Sequence, residues 1–166
     1  MVHNNRVFLF DRNRHTSGSR EMKGLKIRKL PLDKILSGTK TGELRQKPLP
    51  AWFENGMEIA LCETVQMESG IRRGGVVRAK CKIDFQVELN WETLANYENL
   101  HCLGDDINII KHYKTPFYMY VLSDIQPCES YEYPKNHAVT WINLPKEIRG
   151  GENSCKIHTR DEKQKS

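Results

Sequence analysis

The stretch Ile35-Leu36-Ser37-Gly38-Thr39-Lys40-Thr41-Gly42-Glu43-Leu44-Arg45 decides the reading of this chain. Its first residues belong to a short helix opened by Pro31, in which Leu32, Ile35 and Leu36 share a face and Gly38 supplies the C-terminal stop. From Thr41 the period changes to that of a short strand over 41–44. Thr41, Glu43 and Arg45 then fall on one face, with Gly42 and Leu44 on the other. Lys40 joins the first set from the helix-to-strand turn. A carboxylate between two cations can offer an acceptor to a base edge while Lys and Arg contact phosphate. The same trio can transfer a proton in a desolvating cleft, or can simply form a surface ion-pair cluster in which Arg45 ties Glu43 to the scaffold.

Outward from this stretch the pattern is strand-rich. Leu25 to Leu30 alternates apolar and basic residues, which predicts a strand with one basic face. Pro48 and Pro50 force an irregular loop, and Gly56 precedes an alternating strand over Met57–Cys62. The Ser69-Gly70 and Gly74-Gly75 pairs bracket Ile71-Arg72-Arg73 as the exposed turn of a long hairpin, whose return strand runs from Val76 to Val87. Helices are expected over 91–103 and 105–113, a central strand over Phe117–Leu122 and a last strand over Val139–Leu144. There is no regular βα alternation, no G-x-G-x-x-G and no P-loop, which argues against a Rossmann-type fold. The expected architecture is α+β: a small, mixed, partly open β-barrel with short peripheral helices.

The chain has 166 residues, with 38% hydrophobic against 28% charged side chains, a balance that supports one folded domain rather than disorder. Three regions are expected: a basic, flexible N-terminal arm (1–22), the folded domain (23–147) and a polar C-terminal tail (148–166). Residues 1–30 hold eight basic and two acidic side chains, whereas 31–144 sum to −3 and 145–166 to +2. Such an arm beside a near-neutral core fits either polyanion binding or a solubilising terminus. No apolar run approaches the roughly 18 residues needed to span a bilayer, and Val7–Phe10 is too short for a secretory leader. No membrane association and a cytoplasmic location are therefore expected. The four arginines of the first twenty residues, interrupted by Asp11, make no clear presequence stripe. The five cysteines are scattered without a CxxC, and the six histidines form no HxxxH or HExxH pair. Neither a disulfide framework, a metal site nor a cofactor is suggested.

With Gly38, Lys40, Glu43 and Arg45 at the spacing G-x-K-x-x-E-x-R after a short helix, the chain resembles the ASCH family of the PUA-like superfamily. The resemblance spans about residues 25–145 and continues in order: Gly56 before a strand, the long return strand Val76–Val87, the helix near Trp91–Tyr97, the aromatic strand Phe117–Leu122 and a final strand carrying Trp141. Met57 departs from it, standing where an acidic residue is frequent. The resemblance implies a PUA-like barrel with an RNA or modified-nucleoside site in a cleft near Lys40, Thr41, Glu43 and Arg45; Arg72 and Arg73 at the hairpin tip are either a solvated turn or phosphate contacts. A protein-interaction module with a partner in an RNA-processing assembly is a third class of reading. Some members are small hydrolases, either N4-acylcytidine amidohydrolases or ribonucleases. In the amidohydrolase reading Lys40 and Glu43 would be catalytic. However, Glu43 stands where the threonine nucleophile is expected, Thr41 is only adjacent to that place, and Glu63 is only a candidate third carboxylate. For a ribonuclease, Lys40, Tyr118 or His137 would serve. Tyr118 and Tyr120 are either a base-stacking pair or core, Trp141 is read as core, and Trp52 is a lid or a loop anchor.

Overall fold

A computed structural model describes residues 21–144. The arm up to residue 20 and the tail from 145 lie outside the described residues. Twelve elements follow one another: β1 (Met22–Ile27), α1 (Lys29–Leu36), β2 (Gly42–Arg45), β3 (Met57–Glu63), β4 (Gln66–Glu68), β5 (Ile71–Arg73), β6 (Val76–Leu89), a 3₁₀ turn (Leu94–Tyr97), α2 (Glu98–His101), a second 3₁₀ turn (Gly104–Ile109), β7 (Phe117–Glu132) and β8 (Trp141–Leu144). Six strands form one mixed sheet in the order β2-β7-β6-β3-β1-β8, and β4 and β5 pair as a separate ribbon. The β1–β3 pair is parallel and every other pair in the sheet is antiparallel. The expected mixed, strand-dominated α+β architecture is the one observed.

The sheet curves because its two longest strands are bulged. Register shifts interrupt the β6–β7 pairing at three places, and Asp124 sits at φ 50°; each bulge adds twist and bends the strand. The concave side holds the main core, with Leu25, Ile27, Ile59, Leu61, Ile83 and Tyr120 packed against Leu32 and Ile35 of α1. A second core under the 3₁₀ turns joins Leu44, Leu89, Leu94, Ile110, Phe117 and Met119. The alternation read at residues 25 to 27 is thus a real strand face, and the Leu32/Ile35 stripe is the buried face of a real helix.

Several boundaries differ from expectation. The first strand begins at Met22, which pairs with Leu144, so the folded domain takes in the last residue assigned to the arm. Leu30 belongs to α1 and is exposed, because Pro31 is the third helical residue rather than the first; every position of a first helical turn lacks an N–H partner, so proline fits there too. Ile71–Arg73 is not a turn but a strand paired with Gln66–Glu68; the turn is Ser69-Gly70, both at positive φ. The segments 91–103 and 105–113 form short 3₁₀ turns and a four-residue helix instead of two helices. β7 runs ten residues past Leu122, since a bulged register accommodates Pro127 opposite Ala79. Val139 precedes the last strand and is exposed.

Candidate functional site

The turn between α1 and β2 builds the site. After α1 ends, Gly38 adopts φ +80° and donates to the Ile35 carbonyl, while the N–H groups of Thr39 and Lys40 both reach back to the Lys34 carbonyl. This compact exit aims Lys40 at the start of β2. Gly42 then lets the backbone pass close to its neighbours: a Cβ there would lie 3.2 Å from the Leu100 backbone and closer still to the Met119 side chain. The Thr41 N–H donates to the Leu100 carbonyl at 3.0 Å, docking α2 beside the turn.

Lys40, Glu43 and Arg45 converge as their spacing predicts. Lys40 Nζ lies 3.4 Å from Glu43 Oε2, and Arg45 Nη2 lies 3.2 Å from Glu43 Oε1. Lys40 also donates to the His101 carbonyl at 3.0 Å, and Arg45 to the Lys26 carbonyl at 2.5 Å. Lys40 is 4% exposed and Glu43 7%. They are not a surface cluster: both are buried and already paired. Among the described residues Arg45 Nε is the one buried side-chain polar atom without a hydrogen-bond partner. The His101 ring supports the arrangement from behind: its Nδ1 accepts from the Leu103 N–H at 3.1 Å, leaving Nε2–H to donate to the Leu94 carbonyl at 3.0 Å.

The trio lies at the floor of a cleft of about 1060 Å³, at the upper end of the range of roughly 300–1,000 Å³ usual for small-molecule sites. Its walls come from β1 and the start of α1, the loop after β2, the segment 101–113, the base of the β4–β5 ribbon and residues 139–141. Six Lys or Arg side chains line it against two acids, Glu43 and Asp106. Residues 21–144 as a whole carry sixteen basic and sixteen acidic side chains. The folded domain is therefore neutral, and its positive charge is concentrated in this cleft. Trp141 and Tyr120 form an aromatic wall, stacked at 6.3 Å and 24°. Trp52 meets Trp141 edge-on at 5.1 Å, with the Lys23 ammonium 5.1 Å above the Trp52 ring. Burial pushes the Tyr120 phenol up to about 12 and raises Tyr113 as well. Both stay protonated and serve as donors, Tyr120 to the Lys47 carbonyl and Tyr113 to the Leu44 carbonyl.

Other residues singled out in the sequence lie elsewhere. Thr41 is outside the cleft lining: its N–H and carbonyl are bonded to Leu100 and Leu122, and strand pairing begins only at Gly42. Arg72 and Arg73 are exposed on the ribbon and are not themselves among the lining residues, although Arg73 pairs with Gln66, which is; Arg73 Nε lies 4.0 Å from Glu68. Glu63 is buried but committed to Arg78 at 2.5 Å. Tyr118 and His137 do not line the cleft, so they are not brought to Lys40. Tyr120 is core and cleft wall at once, which answers the stacking-or-core alternative with a shared role. Sequence reading passed over Arg28, Lys47, Tyr113 and His101, all of which line the site. Arg28 and Lys47 flank the motif and were legible only as charges. No group of His, Cys, Asp and Glu among the described residues could hold a metal ion, and no described helix is long and apolar enough to cross a membrane.

No protein-family model matches the chain, and no curated protein matches it. Solved structures do. The ASCH protein of Zymomonas mobilis superposes with a TM-score of 0.60 at 19% identity, over 78% of this chain and 91% of that one. A serine-to-alanine variant of the same protein gives 0.58 at 19% identity over 78% and 92%. A tyrosine-to-phenylalanine variant gives 0.59 at 20% over 78% and 94%. At this identity the likeness concerns architecture: the described domain has the fold of ASCH proteins.

Proposed function

We propose that the chain is an RNA-binding or nucleoside-binding ASCH-like module whose ligand enters the cleft above Lys40, Glu43 and Arg45. One observation carries this reading: a domain of zero net charge gathers six cations around a single concave site with an aromatic wall. That combination suits a ligand that is both anionic and flat. Glu43, pinned by two cations, offers a fixed acceptor to the amino or imino edge of a base, and Trp141 offers a ring to stack on. The cations already bound to Glu43 hold its carboxylate in position, so recognition needs little ordering on binding.

The hydrolase alternative, N4-acylcytidine amidohydrolase or ribonuclease, has less support. Of the residues the sequence offered for its chemistry beside Lys40 and Glu43, Thr41, Glu63, Tyr118 and His137 all lie off the cleft. Tryptophan fluorescence of the full chain, titrated with single-stranded RNA and with the four ribonucleosides, tests the binding reading. Saturable quenching that weakens with salt is expected. Absence of any binding refutes it. Turnover of acylcytidine or RNA by the parent protein, lost in Lys40→Gln, would replace it with the hydrolase reading.

A further inference from the structure

Four of the six cations lining the cleft already have partners. Lys40 and Arg45 each hold Glu43 and a backbone carbonyl. Lys34 reaches the Cys102 carbonyl and Asp106, and Lys26 reaches Asn136 and the Ala138 carbonyl. Arg28 and Lys47 line the same cleft, are exposed, and have no side-chain partner among the described residues. The bond from Arg45 to the Lys26 carbonyl pins the end of β2 to the end of β1. Arg28 stands two residues beyond Lys26 and Lys47 two beyond Arg45, so both leave the same junction.

The backbone under each is set. Arg28 occupies the N-cap position of α1 yet makes no side-chain capping bond. Tyr113, which lines the same cleft, donates to the Leu44 carbonyl on the β2 side. The Lys47 carbonyl accepts from Tyr120 at 2.8 Å, and neighbouring Gln46 is bonded to the Lys114 N–H and carbonyl. Among the described residues Arg28 and Lys47 are thus the two uncompensated cations of the cleft lining, and an anion entering the cleft is drawn to them. At the floor Lys40 and Arg45 are already committed to Glu43 and to backbone carbonyls, which leaves the unpartnered pair for a phosphate and the floor for a base.

We infer that Arg28 and Lys47 form a phosphate subsite, so that the ligand is a phosphorylated nucleotide unit rather than an uncharged nucleoside. This rests on the nucleic-acid reading above and adds the ligand's chemical class to it. The phosphate is either that of a free nucleoside monophosphate or a phosphodiester within single-stranded RNA.

Binding to the full chain is measured by calorimetry for three probes: the four ribonucleosides, their 5′-monophosphates, and a short single-stranded RNA with hydroxyl ends. The same series is run on Arg28→Ala, Lys47→Ala and the double variant. Both side chains are exposed, and an unchanged melting temperature checks that each variant is folded. In the parent, at least one monophosphate or the RNA should bind tenfold or more tighter than every nucleoside. The double variant should erase that gain and lower the slope of log K against log salt by about 0.7, the value for one phosphate contact on a single strand. Monophosphate binding identifies a terminal phosphate, and binding of RNA alone identifies the phosphodiester. Nucleosides binding as tightly as the phosphorylated probes, or a phosphate gain retained by the double variant, would overturn the subsite while leaving the nucleoside reading intact. No binding of any probe by the parent refutes the parent reading and this inference with it.

Discussion

Replacing Glu43 by Gln keeps the shape of the side chain and removes its charge. In the folded protein that charge lies 3.4 Å from Lys40 and 3.2 Å from Arg45, with Glu43 and Lys40 both under a tenth exposed. Removing one member of a buried ionic group leaves the others uncompensated, at a cost of about 3–5 kcal/mol. Lys40 keeps the His101 carbonyl and Arg45 keeps the Lys26 carbonyl, so the lower end, about 3 kcal/mol, is the expected loss. For a domain of this size a kcal/mol shifts the midpoint by about 4 °C, so the melting temperature should fall by about 12 °C. A double-mutant cycle with Lys40→Met separates charge coupling from packing, and the pair should lose at least 1 kcal/mol less than the two single changes summed. Urea denaturation and calorimetry of the four proteins give the answer. A fall below about 3 °C with an additive cycle would show that water screens the trio as it does a surface ion pair, and the argument from burial would be wrong.

Three further outcomes are expected. Burial pushes the Cys62 and Cys81 thiols up to about 12, whereas unfolded thiols ionise near about 8.5; the unfolded chain therefore releases these protons first as pH rises. The stability they contribute is complete below that value and declines towards pH 12, so the urea midpoint should fall steadily between pH 9 and 11, and a flat profile would contradict it. In the native protein Cys62 and Cys81, both fully buried, should resist a thiol reagent while half-buried Cys102 in the cleft wall reacts; rapid labelling of Cys62 would show that the core opens. Deleting residues 1–20 should leave the melting temperature unchanged, because β1 begins at Met22 and keeps its pairing to Leu144. The same deletion should make the salt slope of RNA binding shallower, and an unaltered slope would show that the arm does not touch RNA.

The sequence by itself determined what depends on neighbours along the chain. Period-2 alternation marked β1 and β3, the glycine pairs marked β6 as a return strand, the Leu32/Ile35 stripe marked α1, and Gly38-x-Lys40-x-x-Glu43-x-Arg45 placed three charged groups together because one helix exit and one strand face bring them there. Even the mixed barrel followed from strands in irregular order among short helices. Tertiary structure decided whatever depends on distant pairing. Pro127 and Asp124 read locally as breaks, yet β7 runs through them, since bulges in its long pairing with β6 absorb both. Thr41 had the right parity for the cleft, but its backbone is taken by Leu100 and Leu122 from elsewhere in the chain. Lys40 and Glu43 read as cleft-facing charges, and their burial comes from α2 and the carbonyl of His101, sixty-one residues past Lys40. Arg28 and Lys47 gained their meaning only when one hydrogen bond joined the ends of β1 and β2. Local periodicity fixes which face a side chain takes, whereas its solvent, its partners and its charge environment are set by segments that meet only when the sheet curls.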